Sequence, residues 1–409
     1  MVLLHGRAGT GKTTLIHGLK KEGLRHVVVA PTGIAALNAG GQTIHNFFRI
    51  PPRIVNLEDI TPKKRLSSIL HGIDIIVIDE ISMVRADLLD VIDKTLRVNL
   101  DPEMPFGGKK LLLVGDFLQL PPVVEETDAP ILRHRGYQYT HAFGAKCLFT
   151  RQQVRLIELS TVYRQSDPEF LELLHNVRNG HKLDDTVRRL NLRCHRQHRN
   201  AAMPITLTAR KKAALDYNRQ GLAALPGNPT RFLGTIEDDF RVTRDKLPAP
   251  EDLDLKKGAR ILMVKNDPEH RWVNGNLGTV SRLSESAIWV RLDGSSSETE
   301  VHQATWESIE YHYDRMTQRV NPVVVGTYTQ FPIVPAWAMT IHKAQGLTLD
   351  DLRIDLGAGS FSPGQTYVAL SRARSLDGLS FTQPLRVSDV MADTKLVEGV
   401  RKIAEAGSP

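Results

Sequence analysis

A chain of 409 residues with 41% hydrophobic and 24% charged residues has the composition of a globular protein, and it is longer than the roughly 250 to 300 residues at which single cores split, so two or more domains are expected. No apolar run approaches the roughly 18 to 20 residues that span a bilayer, and the first residues show no leader pattern, so neither a membrane segment nor secretion is expected. The net charge of +7 points to a polyanionic partner, with a merely basic protein as the alternative on charge alone, and the two cysteines, Cys147 and Cys194, have no paired spacing; Cys194, His195 and His198 lack the second pair of ligands that a zinc site needs.

The first apolar run leads directly into Gly6-Arg-Ala-Gly-Thr-Gly-Lys-Thr13 and then a helical pattern, the order that a phosphate-binding loop requires. Backbone N–H groups around Gly9, Thr10 and Gly11 and at the helix start through Thr14 face phosphates. Lys12 adds positive charge near the β and γ groups, and the Thr13 hydroxyl is a ligand for Mg²⁺. ATP and Mg²⁺ are therefore the expected cofactors.

Residues 27–30 form a second apolar run, followed by Pro31-Thr32-Gly33 at a helix start, where Thr32 and nearby N–H groups suit a backbone phosphate of a nucleic-acid track. Gln42-Thr-Ile-His45-Asn-Phe47-Phe48 adds polar groups and two aromatics, the mixture that stacks and steers unpaired bases; core packing is the alternative for both phenylalanines. The run 75–78 delivers Asp79 and Glu80 to a strand's carboxyl end, where Asp79 holds magnesium through water and Glu80 is placed to deprotonate the attacking water. Residues 111–114 lead to Gly115-Asp-Phe-Leu-Gln119, whose glutamine amide can bond both that water and a γ-phosphate oxygen.

A charge-spread transition state also needs arginine from a second domain. Arg164 in Val162-Tyr-Arg-Gln165 and Arg372 in Tyr367-Val-Ala-Leu-Ser-Arg372 are the candidates, although each alone also reads as a surface arginine. Further apolar runs at 205–207, 333–334 and 352–356 suggest a second parallel sheet. Between them, glycine turns and alternation over 257–313 read as an inserted small β-barrel, with 294–297 at a hairpin tip. Thr340-Ile-His342-Lys343-Ala-Gln-Gly346 is polar and basic at an expected helix start. The expected organisation is a first α/β domain over 1–150, a second over 151–256 and 314–409, and the barrel over 257–313.

Taken in order, these segments resemble superfamily 1 helicases, and within them the PIF (petite integration frequency) family of DNA helicases. The match is carried by the P-loop from Gly6, Ala-Pro-Thr-Gly-Ile-Ala-Ala-Leu-Asn from Ala30, Gly-Gln-Thr-Ile-His from Gly41, Ile-Asp-Glu-Ile-Ser-Met from Ile78, Gly-Asp-Phe-Leu-Gln-Leu-Pro-Pro-Val from Gly115, Tyr-Arg-Gln from Tyr163, Ala-Trp-Ala-Met-Thr-Ile-His-Lys-Ala-Gln-Gly from Ala336 and Tyr-Val-Ala-Leu-Ser-Arg from Tyr367. The resemblance implies two RecA-like P-loop domains of α/β class, with a Src-homology-like barrel facing DNA and a strand-separating wedge near residues 49–70. It implies ATP- and Mg²⁺-dependent 5′-to-3′ movement on single-stranded DNA, with unwinding of duplexes, forks and often G-quadruplexes.

Residue by residue, it assigns Lys12, Thr13, Asp79, Glu80, Gln119, Arg164 and Arg372 to nucleotide chemistry. Gly346 falls on the nucleotide side, and Tyr163 is a stacking group for adenine or a core tyrosine. Pro31, Thr32, His45, Phe47, Thr208, His342 and Lys343 fall on the DNA side. A monomer on single-stranded or forked DNA is expected, with RNA as a second possible track, at the nucleoid of a bacterium or otherwise in a nucleus or mitochondrion. The rival readings are a translocating ATPase subunit of a recombination complex and a binding module with a dead nucleotide site; intact Lys12, Asp79, Glu80 and Gln119 oppose the latter.

Such helicases usually carry a glutamine-containing adenine-recognition segment ahead of the P-loop, and the five residues before Gly6 contain none. The expectation is a helicase core cut from a longer protein, or a partial sequence, that hydrolyses GTP with a DNA-stimulated kcat/KM within about tenfold of ATP; a preference for ATP well beyond about a hundredfold would overturn it.

Overall fold

The computed structural model describes residues 1–149, 154–194, 203–314, 316–317, 319–394 and 396–400, so His195 and His198 lie outside the described residues. The chain divides into two compact units, Met1–Tyr163 with Glu307–Gly326 and Asp393–Pro409, and Arg164–Trp306 with Thr327–Ala392.

The first unit is built on six strands: β1 (Val2–Gly6), β2 (His26–Ala30), β3 (Gln42–Thr43), β4 (Ile75–Ile78), β5 (Lys110–Gly115) and β6 (Arg155–Leu159). They lie in the order β3-β2-β4-β5-β1-β6, every pair parallel. The runs expected at 27–30, 75–78 and 111–114 are β2, β4 and β5. Their continuous β-branched and aliphatic character reflects burial on both faces. Alternate residues sort accordingly: Val27, Ile76 and Leu111 join one core with Leu89, Ile92 and Leu96, whereas Val28, Val77 and Val114 join another with Leu4 and Ile16. The helices α1 (Lys12–Lys21), α2 (Gly33–Ala39), α3 (Ile44–Phe48) and α5 (Ala86–Asn99) follow β1, β2, β3 and β4, and α4 (Lys64–His71) precedes β4; Ile16 comes from α1 and the leucine-rich face from α5.

One buried group in this unit carries an unusual cost. His141 is 5% exposed, stacks on Tyr139, and neither ring nitrogen has a hydrogen-bond partner among the described residues. Burial holds its imidazole below the ordinary histidine range, against the opposing pull of Asp393. A histidine with its folded pKa depressed contributes its full share of stability above about pH 6.5, and that share is lost as pH falls through the folded value. His141→Phe is therefore expected to flatten the decline of the urea midpoint between pH 7.5 and 5 and to leave stability at pH 7.5 unchanged or raised by about 1 kcal/mol. An unaltered pH profile would reject this account.

The second unit carries β7 (Ile205–Thr208), β8 (Thr230–Leu233), β9 (Thr235–Asp238), β10 (Asp252–Leu255), β11 (Arg260–Met263), β12 (Leu277–Leu283), β13 (Ile288–Leu292), β14 (Thr299–Val301), β17 (Ile333–Pro335), β18 (Ala338–Thr340), β19 (Leu352–Asp355) and β20 (Leu379–Phe381); β15 (Ala304–Asp314) and β16 (Arg319–Gln330) run through both units. A parallel sheet β18-β7-β19-β20 gives this unit its α/β character. A separate antiparallel sheet, β14-β13-β12-β11-β17, encloses Ile261, Val280, Ile288, Val290 and Ile333. The turn at 294–297 does link β13 to β14.

Three expectations are corrected here. Residues 333–334 form β17, which pairs antiparallel with β11 through Leu262↔Val334 rather than joining the parallel sheet. An apolar run this short carries no information about its partner. The parallel strand is β18, which ends at Thr340 where a helix start was expected. Turns then follow, closed by Ala344 N–H to Thr340 O at 3.1 Å and Gln345 N–H to His342 O at 3.2 Å, and Gly346 at φ 87° prevents a helix from continuing. The antiparallel sheet also runs past the expected limit at 313, because β17 returns to it after β16, and residues Glu307–Gly326 count with the first unit.

Candidate functional site

The strand order places β4, β5 and β1 side by side, so their carboxyl ends bring three sequence-distant segments together in the first unit. This is the edge where open parallel sheets bind ligands. After β1 the loop turns through Gly9 at φ 79° and Gly11 at φ 84°, and α1 starts at Lys12. The left-handed turns orient backbone N–H groups into an anion-binding concavity. The Lys12 ammonium lies across the loop, donating to Gly6 O at 2.6 Å and Arg7 O at 2.9 Å, and the Thr10 hydroxyl donates to Arg7 O at 3.0 Å. Thr13 and Thr14 are exposed on the first turn.

At the end of β4, Asp79 is buried and its Oδ1 accepts the Glu80 N–H at 2.9 Å. Burial raises the Asp79 carboxyl above its ordinary range, opposed by that N–H and by the charges of Lys12 and His17. Glu80 is only partly buried and sits at φ 50°, ψ 47°, a left-handed conformation that is uncommon for a residue with a side chain. Such strain, of order 1 to 3 kcal/mol, persists only where the surroundings dictate it. The surroundings are tight: a Cβ on Gly115 at the end of β5 would stand 2.9 Å from Ile81 Cγ2 and 3.1 Å from Ile81 N. Beyond Gly115, buried Asp116 accepts from Leu118 N at 3.2 Å and reaches Gln119 Nε2 at 3.5 Å, while Gln119 N donates to Asp116 O at 3.0 Å. His5 of β1 closes on the same carboxylate at 3.9 Å. Asp116 and His5 were not singled out by sequence; the signal for Asp116 was its place three residues ahead of Gln119.

Tyr163 completes this group. Its N–H donates to Gly9 O at 2.8 Å, and its side chain is 78% exposed, which excludes the core alternative.

In the second unit, Arg164 and Arg372 meet at one turn. Arg164 donates to Ser371 O and to Gly346 O, both at 3.1 Å. Burial lowers its guanidinium to about 10, far enough above neutrality to leave it charged. Arg372 is 1% exposed and donates to Val368 O at 3.0 Å, to Ser371 Oγ at 2.8 Å, and to Ala344 O and Leu347 O at 3.4 Å. Arg372 is therefore not a surface arginine, and Arg164 is half-buried. Both hold carbonyls of residues 344–347, and that turn begins just after His342 and Lys343. Lys343 is exposed, whereas His342 is half-buried and burial depresses its imidazole.

The segments expected to face nucleic acid divide. Pro31 is half-buried beside Thr32, which caps α2 by accepting the Ala35 N–H at 3.2 Å. His45 is half-buried, with Nδ1 3.1 Å from Ile50 O and its imidazole depressed by burial. Two assignments are corrected. Phe47 is a core residue, 4% exposed and edge-on to Phe48 and Tyr311, because the apolar face of the short α3 turns toward the sheet. Thr208 is 1% exposed, its hydroxyl donating to Arg210 O at 3.0 Å, since its place at the end of the central strand β7 points it inward. The segment near 49–70, where a wedge was expected, lines a cavity of about 340 Å³ with Arg49, Arg53, Ile54, Asn56 and Lys63 among others.

A family model described as PIF1-like helicase matches residues 1–188. An ATP-dependent DNA helicase Pif1 of Bdellovibrio bacteriovorus is 34% identical over 388 residues, covering 92% of this chain and 83% of its own. The ATP-dependent DNA helicase PIF1 of Homo sapiens is 35% identical over 92% of this chain, and the chain spans 57% of its length. A crystal structure of Pif1 from a Bacteroides species in complex with ADP-AlF4 superposes with a TM-score of 0.90 at 34% identity over 99% of this chain and 94% of that one. Bacteroides Pif1 bound to single-stranded DNA gives 0.70 at 34% identity over the same shares.

Proposed function

The chain belongs to the PIF1-like helicase family, and from that premise we propose that it works as an ATP-dependent DNA helicase, moving 5′ to 3′ on single-stranded DNA and opening duplex, forked and G-quadruplex DNA. The observation that carries the reading is the convergence of Lys12, Asp79, Glu80 and Gln119 at the carboxyl ends of three adjacent strands.

In the proposed cycle, the loop N–H groups and Lys12 bind the triphosphate, and the exposed Tyr163 ring stacks on the base. Thr13 and Asp79 offer a hydroxyl and a carboxylate, hard oxygen donors of the kind magnesium accepts alongside phosphate oxygens and water, and they are the residues that would hold it. The ion would neutralise charge shared by the β and γ groups. Glu80 takes a proton from the attacking water, and Gln119, held by Asp116, orients that water. Arg164 and Arg372 supply positive charge as the γ-phosphoryl leaves. Because both arginines hold the 344–347 turn, a change in what they bind would shift the turn that directly follows His342 and Lys343, giving a physical link from hydrolysis to DNA grip.

The test is ATP turnover with and without single-stranded DNA or RNA, together with unwinding of duplexes tailed at either end. Strong stimulation by DNA and unwinding only of the 5′-tailed duplex are expected; turnover without unwinding of either duplex would support a translocating subunit instead. Affinity for single-stranded DNA is expected to fall with salt at a log–log slope of roughly −0.7 per phosphate neutralised. Lys343→Ala should reduce the slope by less than about one unit and leave ATP affinity without DNA unchanged. A flat salt response would remove the basic-track reading.

A further inference from the structure

The Tyr163-Arg164-Gln165 segment contains a residue to which neither motif reading nor the cycle above gives a role. Gln165 is 3% exposed, and its single amide nitrogen donates to Ser371 O at 3.1 Å and to Ala373 O at 2.8 Å. These are the carbonyls immediately before and after Arg372. An amide nitrogen has two hydrogens, so both are committed, one on each side of the arginine. The Ser371 carbonyl is shared with Arg164, and the same stretch is held by Leu349 N–H to Arg372 O at 2.9 Å and Arg374 N–H to Leu349 O at 3.0 Å.

We infer that Gln165 is a positioning residue for ATP hydrolysis, clamping the backbone on both sides of Arg372 and so setting where its guanidinium meets the γ-phosphoryl group. The chemistry is specific to glutamine. Asparagine is one methylene too short to span the two carbonyls, glutamate presents acceptors to acceptors, and methionine keeps length and bulk but has no donor. An arginine acts on a transition state only when its fork is aimed before the charge develops, so a small backbone rotation at residue 372 costs rate rather than ground-state binding. The placement within Tyr-Arg-Gln serves the same end: Arg164 and Gln165 reach one carbonyl from consecutive positions, tying the two arginines into a single unit.

The inference rests on the proposed role of Arg372, and the experiment separates the two. Gln165→Met, Arg372→Lys and the double variant would be compared for DNA-stimulated hydrolysis, for affinity toward ADP and toward ADP with aluminium fluoride, and for thermal unfolding. Gln165→Met is expected to lower kcat by about tenfold or more, with KM for ATP and affinity for single-stranded DNA within about twofold. It should weaken the ADP–aluminium fluoride complex by a similar factor while leaving ADP binding unchanged, a split that a loss of packing would not produce. In the Arg372→Lys background it should add no further loss, because the group it aims is already gone. Independent, multiplicative losses, or parallel weakening of ADP and the transition-state mimic, would overturn the inference about Gln165. Wild-type kcat in Arg372→Lys would overturn the assignment of Arg372 and the inference with it.

Discussion

Glu80→Gln is expected to retain ATP binding while hydrolysis falls roughly a hundredfold or more, the scale of losing a general base. The substitution keeps the size and hydrogen-bonding reach of the side chain and removes only its ability to take a proton. The backbone supplies a second arm to the experiment. Glu80 is held at φ 50° between buried Asp79 and the close contact of Gly115 with Ile81, and its left-handed conformation is one that glycine adopts without cost. Glu80→Gly should therefore lose hydrolysis as completely and yet unfold at a temperature equal to or above that of the parent protein, since it relieves about 1 kcal/mol or more of strain. Turnover of the Glu80→Gln protein within a few-fold of the parent would reject Glu80 as the base.

Arg372→Ala is expected to show the larger kinetic loss, on the order of a thousandfold or more in kcat, the range recorded for arginines that stabilise a phosphoryl-transfer transition state. Binding to single-stranded DNA should stay nearly intact. Unlike Glu80→Gln, this change carries a structural cost, because the guanidinium is 1% exposed and bonds the carbonyls of Val368, Ala344 and Leu347. Leaving such groups unpaired costs about 1 to 3 kcal/mol, so the unfolding transition should move down as well. Unfolding and kinetics measured on the same preparation keep the two effects apart. Collapse of DNA binding with hydrolysis surviving would place Arg372 on the nucleic-acid track instead.

The local patterns of the proposed nucleotide site were legible in the sequence by itself. Gly6 to Thr13, the buried run ending at Asp79-Glu80 and the run ending ahead of Gln119 are each local patterns whose chemistry follows from residue type and spacing. Parallel-sheet topology then has only one edge at which to collect them. The runs at 27–30, 75–78 and 111–114 were legible for the same reason: strands hidden on both faces are continuously apolar over four residues. Tertiary structure decided what spacing cannot encode. A phenylalanine beside a polar segment reads as a stacking group or a core residue with equal ease, and only the packing of Phe47 against Phe48 and Tyr311 settled it. Thr208 turned inward because β7 lies between β18 and β19, and residues 333–334 joined an antiparallel sheet because β11 was waiting with an open edge. Arg164, Gln165 and Arg372 lie more than two hundred residues apart at their extremes, and their shared carbonyls at Ser371 and along 344–347 arise from long-range closure of the chain. A hydrogen bond between such distant positions leaves no periodicity in either segment, so only the folded chain reveals it.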